Sequence, residues 1–328
     1  MSNARAAGKW LVSLNATYAL FVRALPCRRD SVAVIVILNR SAGKPAANAE
    51  GNGEAIQRLF RERAQEVHIL EGRDLVALTR EAADGADERI VAGGGDGTIS
   101  AVASVLAGSG KTLGVLPLGT LNHFAKDLRV PLALPAAVDN IVRGHVADVD
   151  VGEVNGRVFI NNSSLGLYPH IVRDREAQQE RLARGKWTAF FWATLRALRR
   201  FPFMTLTITL EGNRLVRRTA FLFVGNNEYQ IAGFNLGGRK CVDAGKLGLY
   251  LTHRTGRLGL FRLAFRALLG RIEQAKDFDT FCVEEATIES RRARLLIAID
   301  GEVSVLKTPL YYRARPRALR VIVPPPGS

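Results

Sequence analysis

Gly93-Gly94-Gly95-Asp96-Gly97-Thr98 sets glycines around a single carboxylate, directly after the apolar run Ile90-Val91-Ala92 and before Ile99, Val102, Val105 and Leu106 at helical spacing. A strand, a tight turn and a helix start in that order make a phosphate site. Glycines permit positive φ and let backbone N–H groups come close to an anion, and a helix start adds unpaired donors and the positive end of its dipole. An ordinary strand-to-helix turn needs only one or two glycines, whereas this run also holds Asp96, suited to a metal ion or a hydroxyl proton. It matches neither GxxxxGK[ST] nor GxGxxG followed by a ribose-binding acid. Two more polar clusters close apolar runs: Gly119-Thr120-Leu121-Asn122, and Asp300-Gly301-Glu302 after Ala298-Ile299. The latter reads by itself as a hairpin turn, but a carboxylate just beyond a strand can also be held within reach of a hydroxyl.

These clusters need elements to carry them. The β-branched run Ser31 to Leu38 predicts a strand buried on both faces of a parallel sheet, ending in the small polar loop Asn39-Arg40-Ser41-Ala42-Gly43-Lys44, where an open α/β sheet binds ligand. A helix at Ile56, Leu59 and Phe60, a strand at Val67-His68-Ile69-Leu70, a helix at Leu75, Leu78 and Ala82, the glycine-run strand and a fourth strand at Thr112 to Leu116 follow. The expected fold is therefore an α/β, doubly wound N-terminal domain with its loops gathered at the carboxyl edge of the sheet. Beyond Val146 strands follow strands: Val154 to Leu165, Met204 to Glu211, Leu215 to Val224, Leu247 to Thr252, Phe278 to Glu289, Arg294 to Ile299 and a last one at Ala318 to Val323. That pattern predicts a mostly antiparallel β-sandwich, with helical insertions at about Gln178 to Arg200 and Leu258 to Leu269. The expected division is an extension over 1–30, an α/β domain over 31–146, a sandwich over 147–317, and a final strand and tail over 318–328.

Length and composition agree with two domains: 328 residues allow roughly 150 each, and 47% hydrophobic with 23% charged residues is globular rather than disordered. Forty-six Lys and Arg against 31 Asp and Glu give +15, which favours an anionic partner such as a nucleotide, a nucleic acid or an anionic lipid surface. The basic residues are scattered, and the first domain shows no recognition motif for nucleic acid. Cys27, Cys241 and Cys282 form no CxxC pair, so buried free thiols in a reducing compartment are expected. No apolar run reaches the roughly 20 residues of a membrane span.

Gly94-Gly95-Asp96-Gly97-Thr98, Gly119-Thr120-Leu121-Asn122 and Asp300-Gly301-Glu302, in this order and spacing, resemble the catalytic family of the diacylglycerol kinases. That family takes in the bacterial soluble lipid kinases and the sphingosine and ceramide kinases. The resemblance covers about Val32 to Val323 and implies an N-terminal domain like that of NAD and diacylglycerol kinases. It implies an ATP-dependent lipid kinase acting on diacylglycerol or a relative. Asn39, Ser41, Gly94, Gly95, Gly97, Thr98, Thr120 and Asn122 would bind ATP, and Glu302 would be the general base. Asp96 would organise phosphates and Mg²⁺, joined by Asp150 through a water-linked metal network. The turn Asp243-Ala244-Gly245-Lys246-Leu247 resembles one at which some bacterial members bind a structural Mg²⁺; a simple turn is the alternative. One position departs from the family: His123 stands where members often carry Asp, and an imidazole cannot supply that carboxylate. It could pair with Asp96 or a phosphate, or pack in the helix turn. NAD kinase is the alternative small-molecule kinase sharing the glycine run, and a non-catalytic nucleotide- or lipid-binding protein is a further alternative.

Access to a lipid falls to Lys186 to Arg200. Trp187, Phe191 and Trp192 with Arg196 and Arg199 have the composition of an interfacial helix touching anionic headgroups, although the same spacing would suit a helix packed on the sandwich. The partners expected are a membrane lipid and an anionic membrane surface, with no nucleic acid, in a protein of the cytoplasm associated peripherally with the inner face of the membrane. A homodimer has precedent in the family.

Overall fold

The computed structural model describes residues 34–39, 53–166, 203–232, 235–239, 243–252 and 278–325, all within one compact unit, Ala33–Ser328. The expected helical insertions and the 1–30 extension lie outside the described residues.

The α/β part is built on β1 (Val34–Asn39), β2 (Val67–Gly72), β3 (Arg89–Gly94) and β4 (Thr112–Pro117), parallel in the order β2-β1-β3-β4. Alternation along β1 decides which helix packs where. Ile35 and Ile37 join Leu75 and Ala82 of the helix Leu75–Asp84 and Ile99, Val102 and Leu106 of the helix Asp96–Leu106. Val34, Val36 and Leu38 face the other way, onto Ile56 and Phe60 of the helix Gly53–Arg61 and Leu134, Val138 and Ile141 of the helix Leu134–Arg143. A strand that must be apolar on both faces is why the β-branched run is unbroken. A fifth helix, His123–Asp127, is a single short turn.

The chain then forms β5 (His145–Val154), β6 (Arg157–Phe159), β7 (Asn162–Gly166), β8 (Met204–Leu210), β9 (Asn213–Thr219), β10 (Phe221–Asn226), β11 (Tyr229–Ala232), β12 (Asn235–Arg239), β13 (Leu247–Thr252), β14 (Phe278–Val283), β15 (Glu285–Ser290), β16 (Arg294–Ile299), β17 (Glu302–Lys307) and β18 (Leu310–Val323). One sheet, β14-β13-β10-β7-β16-β17, is antiparallel. It faces β18-β15-β8-β9, which continues the parallel sheet, and the two share a core that includes Leu165, Leu206, Leu222, Leu249, Ile288, Ile297 and Leu310.

Three expected strands divide in the structure, two of them because a continuous apolar pattern runs through a corner at which the chain changes sheets. Leu215 to Val224 divides at Ala220 into β9 and β10, and Phe278 to Glu289 divides at Glu284 into β14 and β15. Val154 to Leu165 divides at the Asn155-Gly156 turn, whose φ values of 47° and 79° suit a two-residue hairpin. The last strand starts at Leu310 rather than Ala318. Its first half pairs with β15 in the sandwich and its second half lies parallel to β4, Arg320 opposite Thr112. Its register against β5 shifts between Arg315 and Leu319. Pro316, which has no N–H to give a ladder, falls at that irregularity beside Arg317 at φ 50°.

Cys282 is exposed on β14, correcting the expectation of buried thiols for this residue: it alternates outward beside inward-facing Val283. Cys27 and Cys241 lie outside the described residues.

Candidate active site

Three strand ends meet at the carboxyl edge of the parallel sheet. At the end of β1, Asn39 Nδ2 donates to Thr98 Oγ1 (3.4 Å) in the first turn of the helix Asp96–Leu106. Beside it, β4 leads into the Gly119 to Asn122 loop, whose Leu118 N–H donates to the Gly94 carbonyl at 3.0 Å. Asn122, only 6% exposed and left-handed at φ 51°, turns its side chain back into the loop. Its Oδ1 accepts from Gly119 N (3.0 Å), and its Nδ2 donates to Gly119 O (2.8 Å) and Pro117 O (3.3 Å). The amide expected to face a nucleotide is thus committed to shaping the loop, while Thr120 is exposed on it.

The glycine run owes its composition to close approach. None of Gly93, Gly94, Gly95 and Gly97 has positive φ, in contrast to the freedom expected of them, and Gly95 is extended at φ −84°, ψ −177°. A side chain at Gly93 would overlap Leu38, one at Gly94 would overlap Thr98, and one on Gly119 would overlap the Gly95 backbone. Among the described residues no side chain caps the helix that follows; its first backbone bond runs from Ile99 N to Gly95 O (3.1 Å), so the N–H groups of the first turn have no intrahelical acceptor. Such a terminus is a ready anion site.

Asp96 opens this helix half-buried, and its Oδ1 accepts from Phe124 N (3.2 Å) at the start of the helix His123–Asp127. Its other oxygen makes no hydrogen bond among the described residues. His123 is exposed, and Asp96 takes the neighbouring backbone N–H rather than its imidazole. A Mg²⁺ held largely by nucleotide phosphates needs only one or two carboxylates, which Asp96 fits.

Asp150 is placed differently. It is 1% exposed on β5, and its Oδ2 accepts from Gly245 N (2.6 Å) and its Oδ1 from Arg317 N (2.9 Å). Both oxygens are engaged by backbone donors, which hold the carboxylate in place between the 243–245 turn and β18. Asp243 is exposed in the turn that Gly245 anchors to Asp150. Among the described residues no three His, Cys, Asp or Glu side chains come together as a metal cluster.

The Asp300-Gly301 turn has the hairpin geometry expected of it. It is a two-residue hairpin turn with φ values of 46° and 90°, pairing Ile299 with Glu302, and it also brings Glu302 to the glycine run. Glu302 is exposed, and a side chain at Gly97 would come within 4.0 Å of Glu302 Oε1. Asp300 turns inward. Its Oδ1 accepts from Asn161 N (2.8 Å) and Asn162 N (2.9 Å), and its Oδ2 from Ile160 N (2.8 Å) and Ser100 Oγ (2.6 Å). Burial pushes the Asp300 carboxyl above the ordinary carboxylate range, against these four donors, which favour the anion.

The structure therefore brings Asn39, Gly94, Gly95, Asp96, Gly97, Thr98, Asn122 and Glu302 into one region and engages Asp150 elsewhere, with the 243–245 turn and the β18 irregularity. Ser41, Trp187, Phe191, Trp192, Arg196 and Arg199 lie outside the described residues. Ser100 belongs to none of the sequence motifs, and Asp300 reads there only as part of a turn. A polar residue four positions after Asp96, on the helix face that carries Asp96 and Gly97, was the available signal for Ser100.

The arrangement sets a glycine-built helix start on a doubly wound sheet beside a carboxylate delivered from an antiparallel sandwich, an anion site next to a proton acceptor. Residues 33–154 match the diacylglycerol kinase catalytic domain and residues 170–323 the YegS C-terminal NAD kinase beta sandwich-like domain. The two matches fall one on each half of the chain. A relative from Yersinia pestis (strain Pestoides F), described as a probable lipid kinase, YegS-like, is 32% identical over 169 residues, 49% of this chain and 55% of that protein. A counterpart from Yersinia pseudotuberculosis (serotype O:1b) gives the same figures, so the matched stretch spans about half the length of these relatives. The fold is shared with a diacylglycerol kinase from Bacillus anthracis str. Sterne at 23% identity and TM-score 0.64 over 90% of this chain and 98% of that one. A candidate diacylglycerol kinase of the same organism is similar at 26% identity and TM-score 0.68, over the same shares of the two chains.

Proposed function

We propose that the chain is an ATP-dependent lipid kinase that transfers the γ-phosphoryl group of ATP to the hydroxyl of a membrane lipid, diacylglycerol or a related glycerolipid. The observation that carries this reading is the approach of Glu302 to Gly97 at the uncapped helix start. A base for the acceptor hydroxyl and donors for the phosphates then stand side by side. The two family matches, one for each half of the chain, support a lipid acceptor over NAD.

In this reading Gly94, Gly95, Gly97 and Thr98 receive the ATP phosphates on backbone N–H groups, with Asn39, Ser41 and Thr120 around the nucleotide and Asn122 holding its loop in shape. Glu302 takes the proton from the lipid hydroxyl as that oxygen bonds to the γ-phosphorus and the bond to the β-phosphate oxygen breaks, releasing ADP. Positioning and fixed charge supply most of the catalysis in such transfers. Mg²⁺, when bound beside the nucleotide, neutralises charge on the transferred phosphoryl group, and Asp96 would hold it through its second oxygen. Trp187, Phe191, Trp192, Arg196 and Arg199 meet an anionic membrane surface, consistent with peripheral association at the cytoplasmic face.

Incubation with ATP radiolabelled at the γ-phosphate and a panel of diacylglycerol, phosphatidylglycerol, sphingosine, ceramide and NAD tests the proposal. Label is expected in a lipid, diacylglycerol first. Transfer to NAD alone, or to no acceptor in either detergent micelles or vesicles, contradicts it.

A further inference from the structure

We infer that Ser100 and Asp300 are a positioning pair that registers the base-bearing turn of the sandwich on the phosphate-binding helix, so that Glu302 is delivered to the acceptor side of the cradle. This inference rests on the reading of Glu302 as the base.

Glu302 and Asp300 meet the helix Asp96–Leu106 one turn apart. Glu302 lies beside Gly97, and Asp300 Oδ2 accepts from Ser100 Oγ at 2.6 Å. Positions three apart lie on one helix face, so two points of contact set both the height and the orientation of the turn along the helix. The other end of the pair is fixed as firmly. Asp300 accepts from the backbone N–H groups of Ile160 and Asn161 between β6 and β7 and of Asn162 at the start of β7, and its own N–H donates to Asn162 O at 2.8 Å. That segment is braced in turn: Asn226 Nδ2 donates to Ile160 O (3.0 Å) and to Asp150 O (2.8 Å), and Tyr229 Oη donates to Asn161 O (3.0 Å). Asp300 does not need to touch substrate to matter. It converts a hairpin turn, which two left-handed residues alone would leave free to pivot, into a fixed mount. An error of about 1 Å in such placement can cost on the order of a hundredfold in rate.

Ser100→Ala, Ser100→Thr and Asp300→Asn, each alone and combined with Glu302→Gln, test the pair in the full chain. The readouts are kcat and KM for ATP with dioleoylglycerol in mixed micelles, the Kd of a non-hydrolysable ATP analogue, and hydrogen exchange at the Glu302 and Val303 amides. Ser100→Ala is expected to lower kcat by about tenfold and Asp300→Asn by about a hundredfold. Analogue affinity should change by less than about twofold, because Asn122 and Asn39 hold the phosphate loops independently. Ser100→Thr, which keeps the hydroxyl, should restore most of the rate. Neither Ser100→Ala nor Asp300→Asn should slow the enzyme further in the Glu302→Gln background, and amide exchange should quicken in both. Where Asp300→Asn fails to fold, Ser100→Ala decides by itself. Unchanged kcat and exchange in Ser100→Ala, a parallel loss of analogue affinity, or a full additional loss on top of Glu302→Gln overturns the pair. If Glu302→Gln itself leaves turnover intact, the base assignment fails, and faster exchange in Ser100→Ala still separates that failure from failure of the mount.

Discussion

Gly119 stands so close to Gly95 that a side chain on Gly119 would overlap the Gly95 Cα, whereas a side chain on Gly95 would meet Gly119 Cα at an ordinary 3.5 Å. Two loops from different strands are thus packed backbone to backbone, and the tolerance of the contact is one-sided. Gly119→Ala is expected to destabilise the apo protein by about 1–3 kcal/mol, the usual cost of overpacking. Gly95→Ala should cost clearly less. Denaturant titration without nucleotide checks the order of the two, and equal losses would show that the loops give way freely.

Asn122 makes a prediction of the same loop from hydrogen bonding. Asn122→Asp keeps the Oδ1 acceptor for Gly119 N but sets an oxygen against the carbonyls of Pro117 and Gly119, which now receive a donor. A buried polar group left against like groups costs about 1–3 kcal/mol. Thermal unfolding should show that loss with no ligand present. If stability is unchanged and only ATP affinity falls, Asn122 serves the nucleotide directly rather than the loop.

Asp150 separates a structural carboxylate from a metal-linked one. Asp150→Asn would oppose an amide N–H₂ to one of the two backbone donors, Gly245 N or Arg317 N. A drop in stability of about 1–3 kcal/mol is expected, equal in Mg²⁺ and in EDTA. A Mg²⁺-dependent rise in melting temperature that vanishes in the variant would instead place a metal at Asp150.

Much of this was legible in the sequence because the relevant physics is local. The unbroken β-branched β1, the glycine run and the left-handed Asp300-Gly301 turn each follow from residue type and short-range spacing. The corners at Ala220 and Glu284 were not legible, since apolar alternation continues while the chain changes sheets. Glycine type alone points to positive φ, but the glycines of the run are required by neighbours such as Leu38 and Thr98 that only the fold brings close. Asp150 and Asp300 look alike as acids beside apolar strands. Only the distant amides of Gly245, Arg317 and 160–162 reveal that both bind backbone.

Tyr250 predicts a pH dependence. Its hydroxyl accepts from Tyr229 N (2.9 Å) and donates to Tyr229 O (3.0 Å), and burial pushes its pKa up from 10.0 to about 12. The folded state keeps a proton that the unfolded chain releases above pH 10, so the stabilisation is fully present below that pH and is lost as pH rises through about 12. The stability difference between the wild type and Tyr250→Phe should therefore narrow from pH 9 to pH 11, as followed by urea titration. A difference constant over that range would contradict the shift.

The central claim is that Glu302 is the base of a phosphoryl transfer launched from the glycine cradle. Its most direct measurement is the single-turnover rate of γ-phosphoryl transfer from ATP to diacylglycerol by Glu302→Gln, with the Kd of a non-hydrolysable ATP analogue measured on the same sample. The rate should fall by about 10²–10⁴-fold, the range of a lost general base, with analogue affinity unchanged. A rate within about threefold of the wild type at equal analogue affinity would contradict the account.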